Sequence, residues 1–494
     1  MCYIIYVSEC QRDQITKGEF TMLMTPPNAL LDQLFEQTDE LRKSILSTSH
    51  EPDPEHRLFY ISPRGNDSND GLSPATPWKT LAALDAYSIP EGSEVLFERS
   101  GIWRGKFKAL PGVTYSSYGS GEKPRIYGSP LDGAKTGHWR EIIPGVWRYS
   151  RKLTDDCGGI VFDGGEKHGI KITQRFNADG SVVDHVSGRP FESFEALADY
   201  DDLSFFLDLG REQFHNDDGG RIYLRSDENP AERFGEIEFL TRGNVIRIAG
   251  DGVTIDDLCI MYGGSHGIGS GTVSNLTVKN CVIGWIGGSI QFYRDGRPTR
   301  IGNGVEIYGG CNGYRVEHCW IYQIYDAGAT HQLSTGGDSD CTMTDVEYSD
   351  NLIEYCTYNI EYFLGASTNP SAVRKMSDIR IKNNILRYAG FGWGNQRPDK
   401  TAAAHIKGWD SRNEAEDYLI EGNNLICSRY MMIHCGFGEE KWSPVFRSNT
   451  FLQYSDGEFG RYGRNPTSLM PYDSENVSAG EFAGNEFYIL RSDD

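Results

Sequence analysis

From about residue 250 onward, apolar and polar positions alternate in short runs separated by glycine, asparagine and aspartate. The runs read VTIDDLCI, LTVKNCVI, YRVEHCWI, VEYSDNLI, IRIKNNIL, LIEGNNLI and PVFRSNTF. A period of two is the pattern of strands whose side chains point in turn to a core and away from it. Runs this short cannot close a core alone, so neighbouring repeats must stack to bury their inward side chains.

The repeat has a recognisable column and length. Aligned, the runs place these residues in one column: Leu258, Cys281, Cys319, Asn351, Asn384, Asn424 and Asn449. Its shortest spacings, 23 and 25 residues, are too short for a propeller blade of about 40 to 45 residues and fit one coil of a parallel β-helix. Asparagine tolerates left-handed backbone and can stack in a hydrogen-bonded ladder, so we expect the recurring asparagines to mark turns.

The N-terminal part has a different period. Residues 28–46 place apolar residues at helical spacing, which predicts an amphipathic helix with Asn28 as its cap, ended by EPDPEH at 51–56. We favour packing of this helix against the body of the protein over oligomerisation. The predicted parts are therefore a leader and helix at 1–57, a β-rich part with the first coils at 58–249, and regular coils at 250–494. Within the first part, we interpret residues 1–21 as a translated leader before Met22.

A family resemblance follows from four stretches that accompany the coils: YISPRGNDSNDGLSPATPWKTL, VLFERSGIWRG, GNGVEIYGG and IYQIYDAGATHQ. Together they resemble the right-handed parallel β-helix, pectate-lyase-like carbohydrate-active enzymes. The resemblance implies an all-β solenoid with an N-terminal helical segment and loop insertions that form a groove, and it implies a poly- or oligosaccharide substrate. It does not choose the reaction, because this superfamily contains lyases, hydrolases and epimerases.

The charge and cysteine content of the chain indicate which classes of partner and which compartment to expect. Lys and Arg number 48 against 70 Asp and Glu, a net charge of -22, which disfavours nucleic acid and anionic membrane surfaces. A polyanionic substrate would need a local basic groove. Eleven cysteines without metal-ligand spacing fit a reducing compartment. Since we find neither a signal-peptide pattern nor a long apolar run, we expect a cytoplasmic protein and leave its oligomeric state open.

The candidate chemistry lies in a row of outward positions. Ten residues after the column, a second strand carries one outward residue per coil, which predicts this row: Glu306, Thr330 or Ala329, Glu361, Lys407 and His434. Neighbouring coils are about 4.8 Å apart, so the backbones of Glu306 and Glu361 are predicted to be about 9.6 Å apart. Their carboxyl groups could lean to the separation of about 6.5–9.5 Å that inverting glycosidases use.

Insertions flank this row on both sides. GGSIQFYRDGRPTRI and FGWGNQRPDKTAA enter the strand from one side, and QLSTGGDSDCT and ASTNPSAVRK leave on the other, so they are predicted to wall a groove. Rings stack on sugar faces and guanidinium groups hold carboxylates. The predicted substrate-binding residues are therefore His331, His405, His434, Arg397, Trp393, Trp409, Tyr362 and Arg294. We expect His405 to point the same way as Lys407, and His266 to be structural.

The predicted catalytic residues are Glu306, Glu361, Asp326 and Lys407. We favour a glycoside hydrolase, because the row is richer in acids than in bases. A lyase acting on a uronate would use Lys407 or a histidine as its base. It would also need an arginine, or calcium as a cofactor, to neutralise the sugar carboxylate. A non-catalytic carbohydrate-binding β-helix is the third interpretation. The alternative to all three is that these residues are structural. On a solvated face, Glu361 and Lys407 would form an ion pair worth less than about 1 kcal/mol, and Asp326 would only accept hydrogen bonds from its turn.

Overall fold

The computed structural model describes residues 24–210, 214–334, 337–365, 367–409, 414–435, 444–461 and 482–490; the interpreted leader at 1–21 lies outside them. Three parallel sheets form the body of the protein. The chain passes through one strand of each sheet in turn, from sheet 1 to sheet 2 to sheet 3, and then begins the next coil. The structure thus confirms an all-β parallel β-helix.

The three sheets are defined by their strands. Sheet 1 contains Arg57–Ile61, Ser93–Glu98, Thr114–Tyr118, Thr254–Asp256, Leu276–Lys279, Cys311–Glu317, Cys341–Ser349, Arg374–Lys382, Glu414–Glu421, Val445–Arg447 and Phe482–Ala483. Sheet 2 contains Ile102–Arg104, Arg125–Tyr127, Cys259–Gly263, Val282–Ile286, Trp320–Ile324, Leu352–Glu354, Ile385–Arg387, Asn424–Ile426, Thr450–Tyr454 and Glu486–Leu490. Sheet 3 contains Phe107–Ala109, Ile246–Ile248, Ile268–Ser270, Val305–Tyr308, Ala327–Leu333, Tyr358–Leu364, Ala404–Trp409, Met431–His434 and Glu458–Arg461.

The core is built by stacking the inward position of every strand on its neighbour. In sheet 3 the inward residues in register are Ile246, Ile268, Val305, Ala329, Ile360, Ile406 and Ile433, all fully buried. Burying one such aliphatic side chain contributes about 1.5–3 kcal/mol. Because the side chains of a strand alternate, this stacking also fixes which residues of each strand face outward.

An asparagine ladder runs along the turn between sheets 1 and 2. Asn351, Asn384, Asn423 and Asn449 each donate from Nδ2 to the Oδ1 of the next member, at 2.9 Å, and the ladder ends at Asn485. The same turn also contains Leu258, Cys281 and Cys319 in the earlier coils. In each of these coils the residue before this turn position adopts a left-handed φ between 49° and 68°: Asp257, Asn280, His318, Asp350, Asn383, Gly422, Ser448 and Gly484. The predicted ladder is therefore confirmed.

One member of the predicted column is wrong. Asn424 lies outside the ladder, and Asn423 occupies the position instead, because the left-handed turn residue of that coil is Gly422. With two adjacent asparagines in LIEGNNLI, the alignment of runs could not tell which one points inward.

The N-terminal helix spans Asn28–Ser47 and lies on sheet 2. Its Leu34 and Ile45 are buried together with Leu352 and Ile385 of that sheet, which confirms packing against the body. Asn28 is not the cap: Pro27 holds that position and the helix start has no side-chain cap hydrogen bond. Among the described helices, none is long and apolar enough to span a membrane.

A large insertion, residues 128–245, separates Tyr127 of sheet 2 from Ile246 of sheet 3. It has its own hydrophobic core and a five-stranded sheet. Its elements are the strands Trp139–Ile143, Val146–Asp155, Cys157–Phe162, Lys167–His168, Ile170–Lys171, Gln174–Phe176, Val182–Asp184, Ser204–Asp208, His215–Arg225 and Ile237–Thr241, the α-helix Pro230–Arg233, and the 3-10 helices Thr136–His138, Asp163–Gly165 and Phe194–Asp199. One further short α-helix, Ala82–Ala86, lies within the first coils.

Three insertions on the same side of the solenoid form one wall beside sheet 3. The second is the hairpin Ser289–Arg294 and Arg297–Ile301, and the third carries the 3-10 helices Trp393–Gln396 and Lys400–Ala402. Phe176 N of the large insertion donates to Gly296 O of the hairpin at 2.9 Å, and Lys171 N donates to Gln396 Oε1 at 3.0 Å. All three connect a strand of sheet 2 to a strand of sheet 3. The two insertions predicted on this side of the row are therefore found there.

We expect Asn384→Ala to lower the free energy of unfolding, because Asn351 and Asn423 would each lose a buried partner at a cost of about 1–3 kcal/mol per group. Urea unfolding followed by circular dichroism measures the change. Asn424→Ala is the matched control, and we expect it to change stability by no more than about 0.5 kcal/mol. Equal effects of the two substitutions would contradict the ladder.

Candidate active site

Five outward residues of sheet 3 form one row in register: Glu306, Thr330, Glu361, Lys407 and His434. The structure places them side by side as predicted, and it selects Thr330 rather than the inward Ala329. The row is not a solvated face, since Glu306, Glu361, Lys407 and His434 are 9%, 8%, 5% and 9% exposed. An interpretation that requires exposed surface charges therefore does not fit these residues.

The carboxyl group of Glu361 is held by an ion pair and a hydrogen bond. Its Oε1 lies 3.2 Å from Lys407 Nζ, and its Oε2 accepts a hydrogen bond from Gln332 Nε2 at 3.0 Å. Gln332 also donates to Thr330 Oγ1 at 2.7 Å. Burial raises the pKa of Glu361; Lys407 opposes this rise, whereas the nearby Asp326 adds to it. The site thus holds a carboxyl group that keeps its proton to a higher pH than an ordinary glutamate.

Burial acts on the pKa of Lys407 in the opposite direction. Burial alone would lower its pKa, but Glu361, Tyr358 and Asp326 outweigh burial and raise the pKa above the ordinary value. The Nζ atom lies 3.7 Å from the centre of the Tyr358 ring, which is a cation–π contact. Lys407 is therefore a fixed positive charge at neutral pH.

Glu306 is oriented by residues of its own coil and the preceding one. Asn303 Nδ2 donates to Glu306 Oε2, and Asn303 Oδ1 accepts a hydrogen bond from Ala327 N at 2.9 Å, which fixes the amide. His266 Nδ1 lies 3.3 Å from Glu306 Oε2 and accepts a hydrogen bond from Asn303 N at 3.1 Å. The carboxyl group of Glu306 therefore has one defined orientation beside the row.

Asp326 joins the site through an arginine. Arg397 Nη1 donates to Asp326 Oδ1 at 2.5 Å, while its Nε and Nη2 donate to the two carboxylate oxygens of Asp399 at 2.7 and 3.1 Å. The guanidinium also lies over the rings of Tyr325 and Tyr358. Arg397 was predicted to bind substrate. Its donors are instead committed to two acids, so we assign it the positioning of Asp326.

Three of the residues predicted to bind substrate are fully buried, so the prediction is wrong for them. His331 is hydrogen-bonded to the hydroxyls of Tyr348 and Tyr418 at 3.1 and 2.9 Å. Tyr362 lies in the core. Both occupy odd positions relative to the row, and the period of two turns them inward.

His405 is the third of these residues. It lies 2.9 Å from Asn359 Nδ2 through its Nδ1 and is 0% exposed, so it does not reach the groove beside Lys407 as expected. Burial lowers the pKa of His405 to about 3, and that of His331 likewise to about 3. Both side chains are therefore neutral at ordinary pH, and neither can serve as a base that substrate contacts.

Three further residues predicted to bind substrate, Trp393, Arg294 and Trp409, are not members of the row. Trp393 is 2% exposed, donates from Nε1 to Gln323 O at 2.8 Å and packs on Tyr325, so it supports the wall and offers no face to a sugar. Arg294 is exposed on the hairpin, over Phe292. Trp409 is in register with Phe363 at the end of its strand, and its side chain lies outside the described residues.

Four residues of the site were missed in the sequence: Asn303, Gln332, Tyr358 and Asp399. Gln332 lies two positions after Thr330, so the period of two that identified the row could have found it. Asn303, Tyr358 and Asp399 have no periodic signal, because turns and an insertion place them. Within the described ranges, no group of three or more His, Cys, Asp and Glu side chains is arranged to hold a metal ion.

No protein-family model matches the chain, and no curated protein sequence matches it. Its fold is similar to solved structures of XylC in complex with xylose (11% identity, 87% of this chain and 82% of that chain, TM-score 0.43) and of GH136 lacto-N-biosidase from Eubacterium ramulus (11% identity, 94% and 71%, TM-score 0.37). A third is pectate lyase Pel9A (13% identity, 91% and 80%, TM-score 0.37). At these TM-scores the similarities carry no information on the reaction of this chain.

We expect Arg397→Met to destabilise the protein by about 3–5 kcal/mol, because it leaves Asp326 buried without its cation. Thermal unfolding measures the loss, and the double variant Asp326→Asn with Arg397→Met should recover part of it. Arg380→Met, which breaks an exposed pair with Asp417, is the control and should cost less than about 1 kcal/mol. A loss no larger than that of the control would show that the pair does not hold the site.

Proposed function

We propose that the chain is a carbohydrate-active enzyme that hydrolyses the glycosidic bonds of a poly- or oligosaccharide. One observation carries the proposal: two buried carboxyl groups, Glu306 and Glu361, stand two strands apart in one row, and one of them has a raised pKa. Two strand spacings separate their backbones by about 9.6 Å. That spacing allows the carboxyl separation of about 6.5–9.5 Å at which an acid and a base act on opposite faces of a sugar.

The roles follow from the environments. Glu361, whose pKa is raised by burial, donates its proton to the glycosidic oxygen as the bond from that oxygen to the sugar carbon breaks. Glu306 accepts a proton from the water that attacks the same carbon from the opposite face. Lys407 stabilises the carboxylate that Glu361 becomes, because its charge lies 3.2 Å away.

A lyase is the second candidate, and the site favours it less. Proton abstraction needs a group that is unprotonated at the working pH, and the raised pKa of Lys407 disfavours it as that base. Arg397 is engaged by Asp326 and Asp399. Calcium in place of arginine would have to compete with Lys407 for Glu361 and with Arg397 for Asp326.

We expect Glu306→Gln and Glu361→Gln each to reduce kcat about 10²–10⁴-fold, because each removes a proton-transfer group while keeping shape. The assay is a panel of plant and bacterial glycans, read both for new reducing ends and for the absorbance of unsaturated uronates. New reducing ends without that absorbance indicate hydrolysis.

The control is Glu347→Gln, which changes a half-buried glutamate of sheet 1 paired with Lys382 and should leave activity at the wild-type level. Absorbance of unsaturated products would reassign the site to a lyase. Binding of glycans that survives both row substitutions, with no cleavage by the wild type, would instead favour a non-catalytic carbohydrate-binding protein.

The pH dependence tests the role of Glu361 as acid. Activity should fall as pH rises through the pKa of Glu361, because the protonated form is the active one. Lys407 lowers that pKa, so Lys407→Met should raise it and move the alkaline limb of kcat/KM to higher pH, at reduced kcat. A limb that stays in place or moves to lower pH would rule out Glu361 as the acid.

A further inference from the structure

A cluster of three arginines and one histidine lies in the wall that borders sheet 3. It consists of Arg175, His185, Arg297 and Arg300, which we call the wall cluster. The hairpins that carry them meet edge to edge: Phe176 N donates to Gly296 O at 2.9 Å, and a side chain at position 296 would collide with Phe176 O. This contact places Arg175 beside Arg297. A concentration of cations stands out in a chain of net charge -22.

Two buried nitrogen atoms of the wall cluster have no hydrogen-bond partner among the described residues. Arg300 is 7% exposed; its Nε and Nη2 donate to Gly288 O and Gly158 O, but its Nη1 is buried without a partner among the described residues. His185 Nδ1 is likewise buried and unpaired within the described part of the chain. Arg297 is exposed and makes no ion pair with any described residue. Buried unpaired polar atoms cost free energy unless water or a ligand satisfies them.

Asp184 is the acid beside the wall cluster, and its charge acts on the pKa of His185 in the direction opposite to that of Arg175. Asp184 accepts hydrogen bonds from Ser187 N and Oγ in its own turn, and Asp156 pairs with Lys171. The pKa of His185 is lowered by burial and next by the charge of Arg175, with Arg297 and Arg300 contributing in the same direction. The three guanidinium groups therefore act on the same imidazole.

The wall cluster is close to the row. The guanidinium of Arg300 lies 4.6 Å from the centre of the Tyr325 ring, and that of Arg397, which binds Asp326, lies 5.5 Å from the same ring. The Tyr325 ring thus contacts both Arg300 of the wall cluster and the arginine that binds Asp326. A sugar bound at the row would have its neighbouring unit, or a substituent, within reach of the wall.

We propose that the wall cluster binds a negatively charged group, a carboxylate or a sulfate, on the glycan that occupies the row. Guanidinium groups match both anions with paired hydrogen bonds. The local positive charge attracts such a substrate against the field of an acidic protein. That the ligand is a glycan rests on the proposed function, whereas the preference for negative charge rests on the wall cluster itself.

Equilibrium binding to the Glu361→Gln protein, measured by calorimetry, tests the charge preference. The probes are hexuronate trisaccharides of the galacto and gluco series, their carboxyl-reduced counterparts, and a sulfated trisaccharide of neutral sugars. We expect at least one charged trisaccharide to bind tenfold or more tightly than its neutral match, with the preference weakening as salt increases. A preference only for uronates identifies a carboxylate, and one only for the sulfated probe identifies a sulfate.

Arg297→Gln should reduce this preference to less than twofold, and so should Arg175→Gln, which also removes the hydrogen bond from Arg175 Nε to Asn177 Oδ1. Arg315→Gln, which changes an arginine of sheet 1 paired with Asp345, is the control and should retain it. Equal binding of charged and neutral probes, binding of neither, or a preference retained in both wall variants would overturn the inference. Failure of the proposed function shows separately, as wild-type protein that cleaves no glycan while the charge preference in binding persists.

Discussion

The stacking of strands in register, one strand spacing apart, is the constraint on which the rest of this structure depends. Each coil contributes an inward residue that must lie on the inward residue of the coil before it, as Val305, Ile360 and Ile406 do. The hydrophobic effect therefore sets the register of sheet 3, and with it the outward row. Residues 306, 330, 361 and 407 lie side by side because the residues next to them in each strand are buried.

The polar residues of the site are themselves buried. Pairs such as Arg380 with Asp417 lie at the surface, where water screens them. Glu361, Lys407 and Asp326 are covered on one side by the wall and satisfied by Gln332 and Arg397. A dry environment strengthens their mutual interactions and raises the pKa of Glu361, so burial creates the acid that the proposed chemistry uses.

The wall supplies what a regular solenoid lacks. All three of its insertions leave sheet 2 and return to sheet 3, so they converge on the same edge of the row even though they are far apart in sequence. Their mutual contacts, such as Lys171 N with Gln396 Oε1, bind them into one surface. That surface contributes Arg397 to the acids and the wall cluster to the proposed charge preference, and it seals Trp393 inside.

The sequence alone determined the solenoid, the helix over residues 28–46, and the row of Glu306, Glu361, Lys407 and His434, because these depend on periods of two and 3.6 that persist along the chain. The same periodicity failed locally at Asn424, where two adjacent asparagines share one turn, and at His405, which is buried against Asn359. Only the tertiary structure decided that residues 128–245 are an insertion and that Asp399 and Asn303 belong to the site. Contacts made by turns and insertions have no period, and they exist only when coils and wall pack together.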